Sequence, residues 1–168
     1  MKVKAKVEPP ARVQEYALDA SAWIHAYEAA YAPDVLPTLW DELNHRAHLG
    51  HFKCPNVIYG ELSAGSELHT WVKDRKRSIV VALDADARIQ QYVAQISTEF
   101  PDLIDTKRNR SMGDPFIVAI ARHRAAHVVT EEGGRRRGGR AKIPDVCSHY
   151  GVRCMSEFEM FRELKISV

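Results

Sequence analysis

The run Gly113-Asp114-Pro115-Phe116-Ile117-Val118-Ala119-Ile120-Ala121, closely followed by His127-Val128-Val129-Thr130-Glu131-Glu132, constrains this chain more than any other stretch. Proline is best tolerated at the first helical position, so Pro115 predicts a helix start with Asp114 as its cap. Phe116, Ile117, Ile120 and Ala121 then fall at helical spacing. Val128 and Val129 are β-branched and uncharged, as a strand buried on both faces should be, and that strand is expected to end on an acid. Carboxylates are thereby set at element ends, where open α/β sheets bind ligands.

Tyr16 to Asp19 reads as a short central strand ending on an acid, with Ser21 capping the helix that follows. The alternative for Asp19 is a solvated turn aspartate. Leu36 to Leu49 predicts a helix with Leu36, Leu39, Trp40, Leu43 and Ala47 on one face. Cys54 to Leu62 reads as a proline-initiated helix, with Val57, Ile58 and Leu62 as core positions and Glu61 one turn beyond. A glutamate so close to an apolar face sits at a rim or is held by a partner or metal. Glu67 to Arg77 reads as a charged helix and Ile79 to Leu83 as a strand or extended connection. Asp84 is expected to cap a helix that Pro101 stops. An irregular stretch from Asp102 to Met112 follows. Gly133 to Arg140 alternates glycine and arginine, which predicts a flexible loop over 133–141. Lys142 to Cys147 turns into a short helix, Val152 to Cys154 is a last strand, and Ser156 caps a closing helix through Leu164. Strands separated by helices imply right-handed crossovers and an α/β fold with a short, mostly parallel sheet.

A chain of 168 residues fits one domain, here residues 15–168 behind an N-terminal mobile arm at 1–14. The net charge of +2 is too small to imply a nucleic-acid partner, but Arg135, Arg136, Arg137 and Arg140 concentrate it in one segment. An odd count of three cysteines without a CxxC pair argues against a disulfide framework. Neither a signal-peptide core nor a membrane-length apolar run is present, so a cytoplasmic protein with no membrane partner is expected. His45, His48, His51 and Cys54 recur every three residues, but Gly50 and Pro55 break the geometry that zinc ligands from paired segments need. The histidines are expected to be partly exposed helix-end residues. Cys147, near His149 and with His25 elsewhere in the chain, lies in an apolar context with no oxyanion element, so a cysteine protease is not expected.

Asp19, Glu61, Asp114 and Glu132 are four acids in separate places, each beside an apolar element that should fix it, and Asp145 is a fifth. If the strands leading to Asp19 and Glu132 are parallel neighbours, their carboxyl ends share one edge. Carboxylates brought together there resist joint ionisation. A divalent cation resolves the conflict, and hard oxygen donors suit Mg2+ or Mn2+. Such ions activate water and stabilise the leaving oxygen of a phosphodiester. Nearby arginines would hold the polyanion by its backbone. The bland alternative is a set of surface or capping acids with no common purpose.

Taken in order, Leu18-Asp19-Ala20-Ser21, Glu61 in its helix, Gly113-Asp114-Pro115-Phe116-Ile117-Val118-Ala119 and Val128-Val129-Thr130-Glu131-Glu132 resemble the PIN domain. They are most similar to toxins of type II toxin–antitoxin modules, over roughly Tyr16 to Phe161. The resemblance implies a compact single-domain α/β/α sandwich and an Mg2+- or Mn2+-dependent endoribonuclease leaving 5′-phosphate and 3′-hydroxyl ends. By it, Asp19, Glu61 and Asp114 are catalytic and metal-binding acids, with Ser21 and Thr130 as polar supports. Glu132 stands where the family often has an aspartate two residues after the threonine, and Glu131 beside it should point the other way. The Arg-Gly loop and Ile143-Pro144-Asp145-Val146-Cys147 resemble another branch of PIN-like proteins, in which Asp145 supplies the late acid. Glu132 therefore stands as a fourth catalytic and metal-binding acid, ranked above Asp145, which is a further metal-ligand candidate. RNA is the implied substrate, contacted at phosphate by Arg135, Arg136, Arg137 and Arg140, with a cognate antitoxin and a homodimer as implied partners. Trp23, Tyr27, Tyr31 and Trp40 suit either such a surface or the core. Two other functions stay open: a catalytically quiet nucleic-acid or protein-binding module, and a PIN-like nuclease of RNA processing without an antitoxin.

Overall fold

Strand β1 (Tyr16–Leu18) lies at the centre of the protein with all its residues buried, which its uncharged sequence permits on both faces. The computed structural model describes residues 13–82, 84, 86–105 and 112–166, so the predicted arm lies almost wholly outside the described residues. On one side β1 pairs with β2 (Phe52–Pro55), aligning Tyr16 with Phe52, and β2 pairs with β3 (Val80–Val81). On the other side it pairs with β4 (His127–Val129), aligning Leu18 with Val129, and β4 pairs with β5 (Cys154–Met155). All pairings are parallel and the order is β3-β2-β1-β4-β5. Helices flank this sheet in a single α/β/α sandwich, as the alternation of strands and helices requires.

The connections are α1 (Ala20–Ile24), which widens into a π-helical segment (His25–Ala30), then α2 (Pro37–His48) and α3 (Asn56–Glu61). After them come α4 (Glu67–Asp74), α5 (Lys76–Ile79), α6 (Ala87–Glu99), α7 (Asp114–Arg124), α8 (Ile143–Tyr150) and α9 (Glu157–Glu163). Helix α7 is the inner one: Asp114, Pro115 and Ile117 through Ala121 are buried, and it packs on α6, α8, β1, β2 and β4. No described helix is long and apolar enough to cross a membrane.

Several local expectations are corrected. Residues 52–55 form a strand and not a helix start. Lys53 disguises it, being buried with its ammonium group donating to the Ser78 carbonyl at 2.8 Å. Pro55, extended at ψ 145°, closes the strand, and α3 begins one residue later. The predicted helix from Glu67 to Arg77 breaks at Arg75, whose guanidinium bonds Asn44 and the Trp71 carbonyl. Helix α6 is capped by Asp86, not Asp84, and α7 by Gly113, which makes Asp114 its first helical residue. Ser156 caps α9 as expected, in a reciprocal box with Glu159. Trp23 and Trp40 are buried against Trp71, with ring centroids 5.7 and 5.3 Å away, while Tyr27 meets Trp40 edge-on and Tyr31 meets Phe161. These aromatics build core.

Candidate active site

The chain runs outward from β1 through β2 to β3, then crosses back to β4 and β5. The switch in direction falls between β1 and β4, and their carboxyl ends border the crevice in which open α/β sheets bind ligands. Asp19 follows β1 and Thr130 follows β4, so the pairing of Leu18 with Val129 brings the two together.

Asp19 is buried and is itself the cap of α1, a role the sequence suggested for Ser21. One carboxylate oxygen accepts the Ala22 N–H at 3.0 Å, and the other accepts the Thr130 hydroxyl at 2.5 Å. Ser21 instead sits 3.3 Å from the Thr130 hydroxyl and accepts the Glu131 N–H at 3.2 Å. Burial raises the Asp19 pKa; the Thr130 and Ser21 hydroxyls and the Ala22 N–H oppose that rise, and the charge of Glu132 adds to it.

Glu61 ends α3, and although the residue reaches solvent, one carboxylate oxygen turns back to accept the Gly113 N–H at 3.1 Å. Lost hydration raises its pKa, that N–H opposes the shift, and the Asp19 charge adds to it. Gly113 is what permits the approach. A Cβ there would lie 2.4 Å from Ile58 Cγ1 and 3.2 Å from the Glu61 oxygen, so only glycine lets α7 seat against α3. Asp114, the next residue, is buried in the first turn of α7. Beneath the acids, burial pushes the Cys54 thiol far up, and the charges of Asp19 and Glu61 push it further.

Glu132 donates its backbone N–H to the Thr130 hydroxyl at 3.0 Å. Its carboxylate pairs with the Lys142 ammonium at 2.9 Å and accepts the Ile143 N–H at 3.4 Å. Asp145 is used differently. It accepts the Lys142 N–H at 2.9 Å as part of the cap of α8, and both its oxygens accept the Arg135 N–H. Asp19, Ser21, Thr130 and the Glu132 backbone thus form one bonded group, with Glu61 close enough to be felt electrostatically.

The family model described as "Domain of unknown function (DUF4411)" matches residues 16–168. The chain belongs to this DUF4411 family. None of the curated proteins matches it significantly.

Beside the acids, the DUF4411 chain presents a cleft of about 430 Å³ lined by Glu132, Gly133, Gly134, Arg136, Gly139, Arg140 and Lys142. The Arg-Gly segment around it forms neither helix nor strand, yet it is pinned. Arg135 pairs with Asp102 at 3.1 Å, and Arg140 donates to the Leu103 carbonyl at 2.5 Å. Arg136 and Arg137 are exposed. Of the spaced histidines, His45 and His48 are exposed on α2, while buried His51 has Nδ1 2.8 Å from the Gln14 carbonyl. Cys147 is buried in α8, and a hydrogen bond with Cys154 together with burial pushes its thiol pKa far up, the opposite of an activated nucleophile.

Sequence reasoning missed three features of this edge: the Gly113–Ile58 contact, Lys142 as the partner of Glu132, and a cluster of His25, Glu131 and Glu157. The glycine before Asp114 was the only signal for the first. The second joins residues ten apart across the Arg-Gly segment and the third joins residues distant in sequence, and no local pattern marks either.

Proposed function

We propose that this DUF4411 chain is a metal-dependent endoribonuclease of PIN-like type, the toxin of a toxin–antitoxin pair. The observation that carries the reading is the buried Asp19 carboxylate at the β1–β4 switch, held by Thr130 and facing the charges of Glu61 and Glu132. Burial and neighbouring negative charge raise the pKa of both Asp19 and Glu61, so protein groups alone stabilise their anions poorly. Hard oxygen donors in that condition fit Mg2+ or Mn2+.

Asp19, Glu61 and Asp114 would hold the ion, with Glu132 completing the acidic edge. Both late acids are held at the start of α8, Glu132 by Lys142 and the Ile143 N–H and Asp145 by the Lys142 and Arg135 N–H groups; Glu132 is favoured because its charge acts on Asp19. When bound, such an ion activates water and stabilises the leaving oxygen of a phosphodiester. The chain's own part is orientation and charge. Thr130 fixes the Asp19 carboxylate, the Gly113 N–H fixes Glu61, and the cleft cations Arg136, Arg140 and Lys142 draw the RNA backbone to the site. Action in the cytoplasm, a cognate antitoxin and a homodimer belong to the same proposal and rest on the resemblance to PIN-domain toxins.

The experiment is incubation of a mixed structured RNA with the protein in Mn2+, in Mg2+ and in chelator, comparing wild type with Asp114→Asn. Cleavage that needs metal and is lost in the variant supports the reading. Equal cleavage by both proteins refutes the site. Absence of cleavage, together with no metal uptake by calorimetry, moves the chain to a binding module.

A further inference from the structure

At the same edge of the sheet, next to β5, lies a second group of side chains that the nuclease reading leaves unused. His25, Glu131 and Glu157 bring one donor atom each to within 4.8 Å of one another. They come from three segments: the π-helical turn after α1, the residues after β4, and the start of α9. Glu157 is only 1% exposed, and its carboxylate lies 3.1 Å from His25 Nδ1. Its backbone N–H donates to the Glu131 carboxylate at 3.3 Å, which draws a second acid to the same point. A buried carboxylate requires a cation or several donors, and a second carboxylate beside it sharpens the requirement. His25 is aimed by the π-helical turn, a distortion common at functional sites, and its ring meets Tyr31 edge-on at 6.4 Å. Half-buried His25 and exposed Glu131 leave a path from solvent to the point where the three converge.

We propose that His25, Glu131 and Glu157 form a binding site for a zinc-class transition ion, distinct from the Asp19 centre. One imidazole and two carboxylates are a borderline nitrogen–oxygen set, which suits Zn2+ and disfavours Mg2+. Donors placed about 2.0–2.2 Å from a tetrahedral ion lie about 3.3 Å apart. The His25–Glu157 separation of 3.1 Å already satisfies this. The wider approaches, up to 4.8 Å, must shorten by about 1.5 Å, a change within reach of the exposed Glu131 side chain. Water fills the remaining position. The ion ties the π-helical turn to the start of α9. Because Ser21 accepts the Glu131 N–H and touches the Thr130 hydroxyl, it also braces the pair that holds Asp19. The inference does not depend on the nuclease reading.

The test is calorimetric titration of the full chain with ZnCl2 in an Asp114→Asn background, which removes a ligand of the competing acidic centre, with His25→Ala and Glu131→Gln added in turn. Cobalt absorption spectra of the same proteins report imidazole ligation. The expected result is one zinc per chain, weakened tenfold or more by each substitution and not displaced by millimolar Mg2+, with the visible cobalt band lost in His25→Ala. Glu131→Gln alters an exposed side chain and keeps the test decisive should His25→Ala fold poorly. Absence of zinc binding at neutral pH, or zinc affinity unchanged in both variants, overturns the proposal.

Discussion

Replacing Thr130 with valine removes a hydroxyl and keeps the shape of the side chain. That hydroxyl donates to Asp19 at 2.5 Å, accepts the Glu132 N–H at 3.0 Å and lies 3.3 Å from the Ser21 hydroxyl. An ionised carboxylate can only accept, so Thr130 is the donor to Asp19, and Ser21, which accepts from Glu131, is left to donate to Thr130. A hydrogen bond to a charged group contributes about 1.5–3 kcal/mol, and a buried donor left without a partner costs about 1–3 kcal/mol. With partial relaxation the expected loss is about 2–4 kcal/mol. Each kcal/mol lowers the melting temperature of a chain this size by about 2–4 °C, so a fall of about 4–16 °C follows. The effect carries a pH signature. The Thr130 bond opposes the rise that burial imposes on the Asp19 pKa, so without it that pKa climbs further. A folded carboxylate with a raised pKa keeps a proton that the unfolded chain gives up. Stability therefore falls as pH rises from the ordinary carboxylate value through the raised one, and is flat above. The penalty of Thr130→Val is accordingly larger near pH 7 than near pH 4. Urea melts at both pH values for wild type, Thr130→Val and Thr130→Ser measure it, and serine should recover the pH-dependent part. Equal losses at the two pH values would refute the claim that this hydroxyl supports an anionic Asp19.

Other consequences follow from the same edge. Gly113→Ala puts a methyl 2.4 Å from Ile58 Cγ1, and Ile58 is fully buried, so overpacking of about 1–3 kcal/mol is expected in a thermal melt. Adding Ile58→Ala should recover part of the alanine penalty, and a strictly additive double variant speaks against the contact. Replacing exposed Arg136 and Arg137 with alanine should weaken RNA binding and flatten its log–log salt slope by roughly 1.4 for single-stranded RNA. An unchanged slope discards these contacts. Mn2+ affinity should climb as pH rises through the raised pKa values of Asp19 and Glu61, since each must lose its proton to coordinate. Calorimetry that finds a flat profile between about pH 4 and pH 7 contradicts that ligand set.

Much of the architecture could be read from the chain because it is locally encoded. Val128-Val129 and Tyr16-Ala17-Leu18 have the uncharged character of doubly buried strands, and Pro115 fixes where α7 begins within a residue. What escaped was decided by tertiary partners. Strand β2 hides because Lys53 looks like a surface residue until its ammonium group finds the Ser78 carbonyl. Asp19 displaces Ser21 as the cap of α1 because a carboxylate just past a strand already points at the first turn. The serine is then recruited by Thr130 and Glu131, which are more than a hundred residues away. The same holds for the late acid. The sequence ranked Glu132 ahead of Asp145 without showing what holds either, and in the fold both carboxylates bond groups at the start of α8 while the Glu132 N–H bonds Thr130.

The most direct measurement is the single-turnover rate of cleavage of an end-labelled RNA in saturating Mn2+ by wild type and by Asp19→Asn, each first shown to be folded by its thermal melt. If Asp19, Glu61 and Asp114 form one metal-dependent centre, the variant loses cleavage by roughly a hundredfold or more while still binding RNA, as expected when a group stabilising the transition state is removed. A folded Asp19→Asn that cleaves at the wild-type rate contradicts the assignment of the centre to the β1–β4 switch.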